Sequence, residues 1–159
     1  YAFRMMKLFK KSGINFISCP TENIYLEGRQ DSYPKRRGLT RVKELHDQGI
    51  NVCFAQDSMS DPWYPLGNGN MMMILDHGIH IAQMMSPEEI QDDLDLVTTN
   101  GAITMHIQDG KPANFIVLDA KSEFEAICER AGILASVRKG EFLFQKEPAK
   151  VIGAIDLLK

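Results

Sequence analysis

Two short apolar runs constrain the fold most. Ile14-Asn15-Phe16-Ile17-Ser18-Cys19 and Ile50-Asn51-Val52-Cys53-Phe54-Ala55 each follow directly on a helical pattern closed by a glycine. Ahead of the first, Ala2, Phe3, Met6 and Phe9 recur at helical spacing between Lys and Arg residues, and Gly13 stops the pattern. Ahead of the second, Leu39, Val42 and Leu45 repeat over a charged surface, and Gly49 closes it. Both runs are short, rich in β-branched and aromatic residues and bounded by turn residues, which predicts strands. Helix and strand in alternation predict consecutive parallel βα units.

Downstream, apolar residues cover most of the circumference of a helix from about Gly69 to Met85, so it is expected to be largely buried. Its methionines read as adaptable core filler. Ser86-Pro87-Glu88-Glu89 is a capping box with proline at the first helical position, predicting a further helix to about Asn100. Thr21 to Gly38 shows no sustained period and reads as a long loop, a length that usually carries function. After Gly110 the pattern becomes short strands, Ala113–Asp119 and Ala135–Phe144, the second a hairpin turning at Lys139-Gly140, with a small helix over Ser122–Ala131 between them. A boundary is placed near residue 110.

A formal charge of -3 argues against nucleic acid as a partner, since phosphate binding needs a surplus of Lys and Arg on one face. Cys19, Cys53 and Cys128 are odd in number and contain no CxxC pair, which indicates neither a disulfide framework nor a zinc knot and favours a reducing, cytoplasmic setting. No apolar run reaches the roughly 18 residues of a membrane span. The chain starts at Tyr1 and not Met, so a preceding segment is expected.

Asp57 stands just past the apolar part of a predicted parallel strand. In barrels of such units the C-terminal strand ends face the active site, so it is a candidate metal ligand or proton carrier; an Asx turn or helix cap is the equal alternative. Asp61 before Pro62 fits a helix N-cap. Trp63, the single tryptophan, is either a stacking wall for a flat ligand or a loop anchor. His77 and His80 lie three apart on one helix, but no third ligand is spaced to join them, and His46 and His106 read as ordinary helix residues. Cys53, on a buried strand, reads as inert.

The stretches Tyr33-Pro34-Lys35-Arg36-Arg37-Gly38-Leu39-Thr40-Arg41-Val42-Lys43-Glu44 and Asp61-Pro62-Trp63-Tyr64-Pro65-Leu66-Gly67 are specific. With Ile50–Phe54, Asn70-Met71 and Ala113–Leu118, they make the chain resemble the bacterial cytosine deaminases of the amidohydrolase superfamily. The resemblance implies an α/β fold: a metal-dependent (β/α)8 amidohydrolase barrel with a small β-sandwich beside it. Residues 1–110 would be its last βα units and residues 111–159 the returning sandwich strands. It implies one divalent metal ion, zinc or iron, most of whose ligands precede Tyr1, so that this chain alone would be inactive.

Carried over residue by residue, Asp57 matches a metal ligand that shuttles protons, and Trp63 an aromatic of the pyrimidine pocket. Where the family shows His-Asp-Asp, this chain has Gln56-Asp57-Ser58. Ser58 replaces an acid near the C5 edge of the base, leaving room for a 5-methyl group. A second departure lies between Gln108 and Pro112, where the family has a longer connection into the sandwich strand: either the loop is shorter here or residues are absent from it. The expected partners are a small-molecule base, the remainder of the barrel polypeptide and a possible second copy of the chain. The rival readings are an amidohydrolase of another cyclic amidine or triazine, and a catalytically incomplete fragment. With no CxxC, the unrelated zinc deaminases of the H-x-E and P-C-x-x-C type are excluded.

Overall fold

The computed structural model describes residues 1–107 and 113–149. In chain order it contains α1 (Ala2–Ser12), β1 (Phe16–Ser18), α2 (Pro20–Leu26), α3 (Val42–Asp47), β2 (Val52–Phe54) and α4 (Met71–Ala82). Then follow α5 (Pro87–Ile90), a 3₁₀ turn (Asp93–Val97), α6 (Thr99–Thr104), β3 (Phe115–Leu118), α7 (Glu123–Cys128), β4 (Ile133–Arg138) and β5 (Glu141–Gln145). The predicted boundary near residue 110 and the connection from Gln108 to Pro112 fall outside the described residues, as does the end of the chain beyond 149.

β1 and β2 pair in parallel, with Phe16 opposite Val52, Ile17 opposite Cys53 and Ser18 opposite Phe54. Paired residues share a face. On one face the Phe16 ring meets Phe9 of α1 edge-on at 5.2 Å, and the Phe54 ring lies against Gly78 of α4. On the other, the Cys53 thiol reaches Thr104 Oγ1 of α6 at 3.6 Å, while Ile17 is 51% exposed. Asn100 adds a bond from its side-chain amide to the Val52 carbonyl at 2.9 Å, so α6 occupies one edge of β2.

α4 begins at Asn70, whose side chain accepts from the N–H groups of Met72 and Met73, and ends at Gln83 in the left-handed conformation. It buries Met72, Ile74, Leu75 and Ile79, while Met71 and Met73 are half-buried and pack on the same core. The close approach of Phe54 leaves no space at Gly78, where a Cβ would stand 2.5 Å from the ring. Gly78→Ala should therefore destabilise the fold by about 1–3 kcal/mol despite the better helix propensity of Ala. Urea unfolding reads this, and a stabilised variant would show the approach to be less tight.

Three expectations are corrected. Part of the long loop from Thr21 to Gly38 is the helix α2. Pro20 at its first turn and Glu22 just after it suit a helix start, and its first residues are buried against α4. Seven residues are too few to show a period, so packing decides this helix. The single helix expected from Ser86 to Asn100 breaks into α5, the 3₁₀ turn and α6. The capping box does form, but Asp93 turns inward and Thr98 leaves helical geometry at φ -128° and ψ -92°. His106 lies beyond α6 with φ 54°, outside any helix.

β3, β4 and β5 form an antiparallel sheet in that order. Its hairpin turns at Lys139 and Gly140, both at positive φ, as a two-residue turn between right-twisted strands requires. The Arg130 guanidinium after α7 holds the Asp76 carboxylate of α4 in a two-pronged bond at 3.0 and 3.1 Å, joining this sheet's connection to the helical layer.

Candidate active site

Because β1 and β2 run in parallel and in register, the chain leaves both at the same end. One further bond, from the Ala55 N–H to the Ser18 carbonyl at 2.9 Å, carries the ladder past the strands. The residues emerging there are Cys19, Pro20, Thr21 and Glu22 from β1, and Gln56, Asp57 and Ser58 from β2.

Asp57 is exposed and sits at φ 65°, a backbone region that Asp and Asn enter more readily than most residues. It caps no helix. The Cys19 thiol is pushed up from its ordinary value by burial first, and then by the nearby carboxylates of Asp57 and Glu22 and by Cys53. Cys19 therefore sits in an acidic surround and stays protonated at neutral pH. Glu22, 6% exposed, and Ser18, 1% exposed, each carry a side-chain oxygen without a hydrogen-bond partner among the described residues.

Gln56 is buried and stitches the site together. Its Nε2 donates to Thr21 Oγ1 at 3.4 Å and its Oε1 accepts from the Gly69 N–H at 3.3 Å. It thus ties the exits of both strands to the approach to α4. Sequence reasoning noted Gln56 only as a departure from the family pattern; its partners lie 35 and 13 residues away, beyond any local signal.

Ser58 is also buried. Its hydroxyl faces Asp61, whose carboxyl is held below the usual range by the Tyr64 N–H foremost, with the Trp63 N–H and the Ser58 hydroxyl adding to it. Asp61 Oδ1 accepts from Trp63 N at 2.9 Å and Tyr64 N at 3.0 Å. This is capping geometry, but no helix follows, so the expected helix cap is corrected to a cap on a turn. Trp63 is 67% exposed and is not a core anchor of the described chain.

His77 and His80 each turn Nδ1 to the backbone carbonyl one helical turn back, at 2.7 Å from Met73 O and Asp76 O respectively. Among the described residues no three His, Cys, Asp or Glu side chains cluster to hold a metal. The donor chemistry at the strand ends nonetheless suits a divalent ion. Asp57 offers an exposed hard oxygen, and the Glu22 carboxylate, which with Asp57 flanks the Cys19 thiol, leaves an oxygen unsatisfied. One exposed carboxylate is a partial ligand set, which needs donors from outside the described residues.

The molecule is similar to the solved structure of a 5-methylcytosine deaminase from Klebsiella pneumoniae liganded with 5-fluorocytosine. The two are 51% identical with a TM-score of 0.89, over 96% of this chain and 38% of that one. Among curated proteins, it is 26% identical over 148 residues to a pterin deaminase of Rhizobium rhizogenes, which covers 89% of this chain. It is 28% identical over 150 residues to an N-isopropylammelide isopropyl amidohydrolase of Pseudomonas sp., which covers 88% of it. The chain spans 33% of the length of each of these two curated relatives. The model of the amidohydrolase family matches residues 1–143, and the chain belongs to that family.

Proposed function

We propose that this chain forms part of a hydrolytic deaminase of a free pyrimidine base, in which Asp57 binds the metal and carries protons. On this reading residues 1–110 are closing βα units of the barrel and residues 111–159 sandwich strands. The remaining ligands and the other pocket walls come from the rest of the polypeptide. The observation that carries the proposal is the exposed Asp57 carboxylate at the shared exit of two parallel strands, in a chain 51% identical to a 5-methylcytosine deaminase.

A divalent ion at Asp57, zinc or iron, would supply Lewis acidity and bring the pKa of a water toward neutrality. Asp57 is the group that would take up a proton as a water oxygen adds to C4 of the base. It returns the proton to the exocyclic nitrogen as the C4–N bond of the tetrahedral adduct breaks. The products are the uracil analogue and ammonia, so one water is consumed per base. Trp63 offers its ring as a wall for the flat heterocycle.

Ser58 decides which base is favoured on this reading, because an uncharged, small side chain leaves room at C5. With the full-length protein, 5-methylcytosine should exceed cytosine in kcat/KM. In Ser58→Asp the ratio of the two should fall about 10-fold, the scale set by one methyl group in a pocket. An unchanged ratio would remove Ser58 from specificity. The similarity to the pterin and N-isopropylammelide enzymes favours one rival, an amidohydrolase of another amino-heterocycle. Turnover of pterin or N-isopropylammelide, with none of either cytosine, would establish that rival.

A further inference from the structure

Residues 58–67 form a compact loop whose ends touch. A Cβ at Gly67 would collide with the Ser58 carbonyl oxygen, so only glycine lets the loop close there. Inside it, Ser60 Oγ donates to the Gly67 carbonyl at 3.0 Å and the Gly67 N–H to the Tyr64 carbonyl at 3.3 Å. Asp61 binds the Trp63 and Tyr64 N–H groups as described. Such loops with touching ends are packed by their own side chains and keep their shape. These bonds define the loop's form but do not say where the form stands relative to the strand ends.

That placement has a visible anchor. The Tyr64 ring meets Tyr25 of α2 edge-on, with centroids 5.9 Å apart and planes at 71°. On Tyr25 lies the Arg29 guanidinium, 5.4 Å from the ring centroid. α2 starts immediately after β1, so Tyr25 refers the loop to the same strand exit that carries Cys19 and faces Asp57.

We propose that Tyr25 is a positioning residue: through Tyr64 it holds the preformed loop, and with it the Trp63 ring, in place over the strand ends. The wall is then standing before a base arrives and does not close upon it. The kinetic consequence rests on the deaminase reading; the structural one does not.

The test uses Tyr25→Ala, Tyr25→Leu and Tyr25→Phe in the full-length protein. Trp63 is the one tryptophan of the 159 residues, and its emission is isolated as the difference from Trp63→Phe in each background. Ala and Leu should raise acrylamide quenching of Trp63 about 2-fold and raise KM for the base about 5-fold, the scale of one edge-to-face pair, with kcat within about 2-fold. Phe keeps the ring and should behave as the wild type. The proposal is overturned if Trp63 quenching is unchanged in Ala and Leu, or if Phe is as defective as they are. It is also overturned if kcat falls with KM constant, which is what a merely structural residue would give. If the wild type turns over no base, the deaminase reading fails while the quenching comparison still decides the role of Tyr25.

Discussion

Asp57→Asn in the full-length protein should lower kcat/KM for base deamination about 1,000-fold, the range lost when a positioned proton carrier on a metal is removed. Asparagine is the informative replacement. At φ 65° an alanine would add backbone strain, whereas Asn occupies this region readily and keeps the shape of the side chain. The amide can neither take the proton nor offer an anionic oxygen. Bound metal per chain after dialysis, measured by elemental analysis, should fall with the activity. Because the carboxylate is exposed, the urea midpoint of the metal-free protein should not move. Activity within 10-fold of wild type would mean that another group carries the proton.

The largest stability effect is expected at Asp93→Asn. Asp93 is 2% exposed, its Oδ2 has no hydrogen-bond partner among the described residues, and its pKa is pushed up to about 7. Burial is the main cause and neighbouring Asp92 adds to it, while Lys43 opposes both. The folded-state pKa lies above the unfolded value, so the folded protein binds the extra proton between about pH 4 and pH 7. Stability on this account is greatest near pH 4 and is lost as pH rises through about 7. At about 1.4 kcal/mol per pKa unit, Asn should stabilise by about 2–4 kcal/mol at pH 8 and by much less at pH 4. Urea unfolding at both pH values checks this. A gain independent of pH would show that Asp93 does not titrate in this interval.

Local signals carried much of the fold. The Ser86 capping box, the Lys139-Gly140 hairpin and the glycine stop after α1 each depend on residues within a few positions of one another, and all three form. What the sequence hid was decided at long range. α2 exists because its short first turn is buried against α4, and the helix after Ser86 breaks where a carboxyl is drawn inward. The candidate site divides the same way. Asp57 was visible as an acid after an apolar strand. The roles of Gln56 and Tyr25 rest on Thr21 and Tyr64, each more than thirty residues away, and no periodicity reports such pairs.

The two-pronged bond between Arg130 and Asp76 bears on how the chain is made. Ribosomes release the N-terminal side first, so Asp76 emerges 54 residues ahead of its guanidinium partner. In the interval His80, one turn along and 3.4 Å away, is the cation within reach on its own helix when protonated. The strand pair and α4 are covered by the 3₁₀ turn and α6, which end at residue 104, so this layer can collapse while the later sheet is still being synthesised. Arg130 is then a late fastener: it secures the antiparallel sheet to a surface assembled before it arrived.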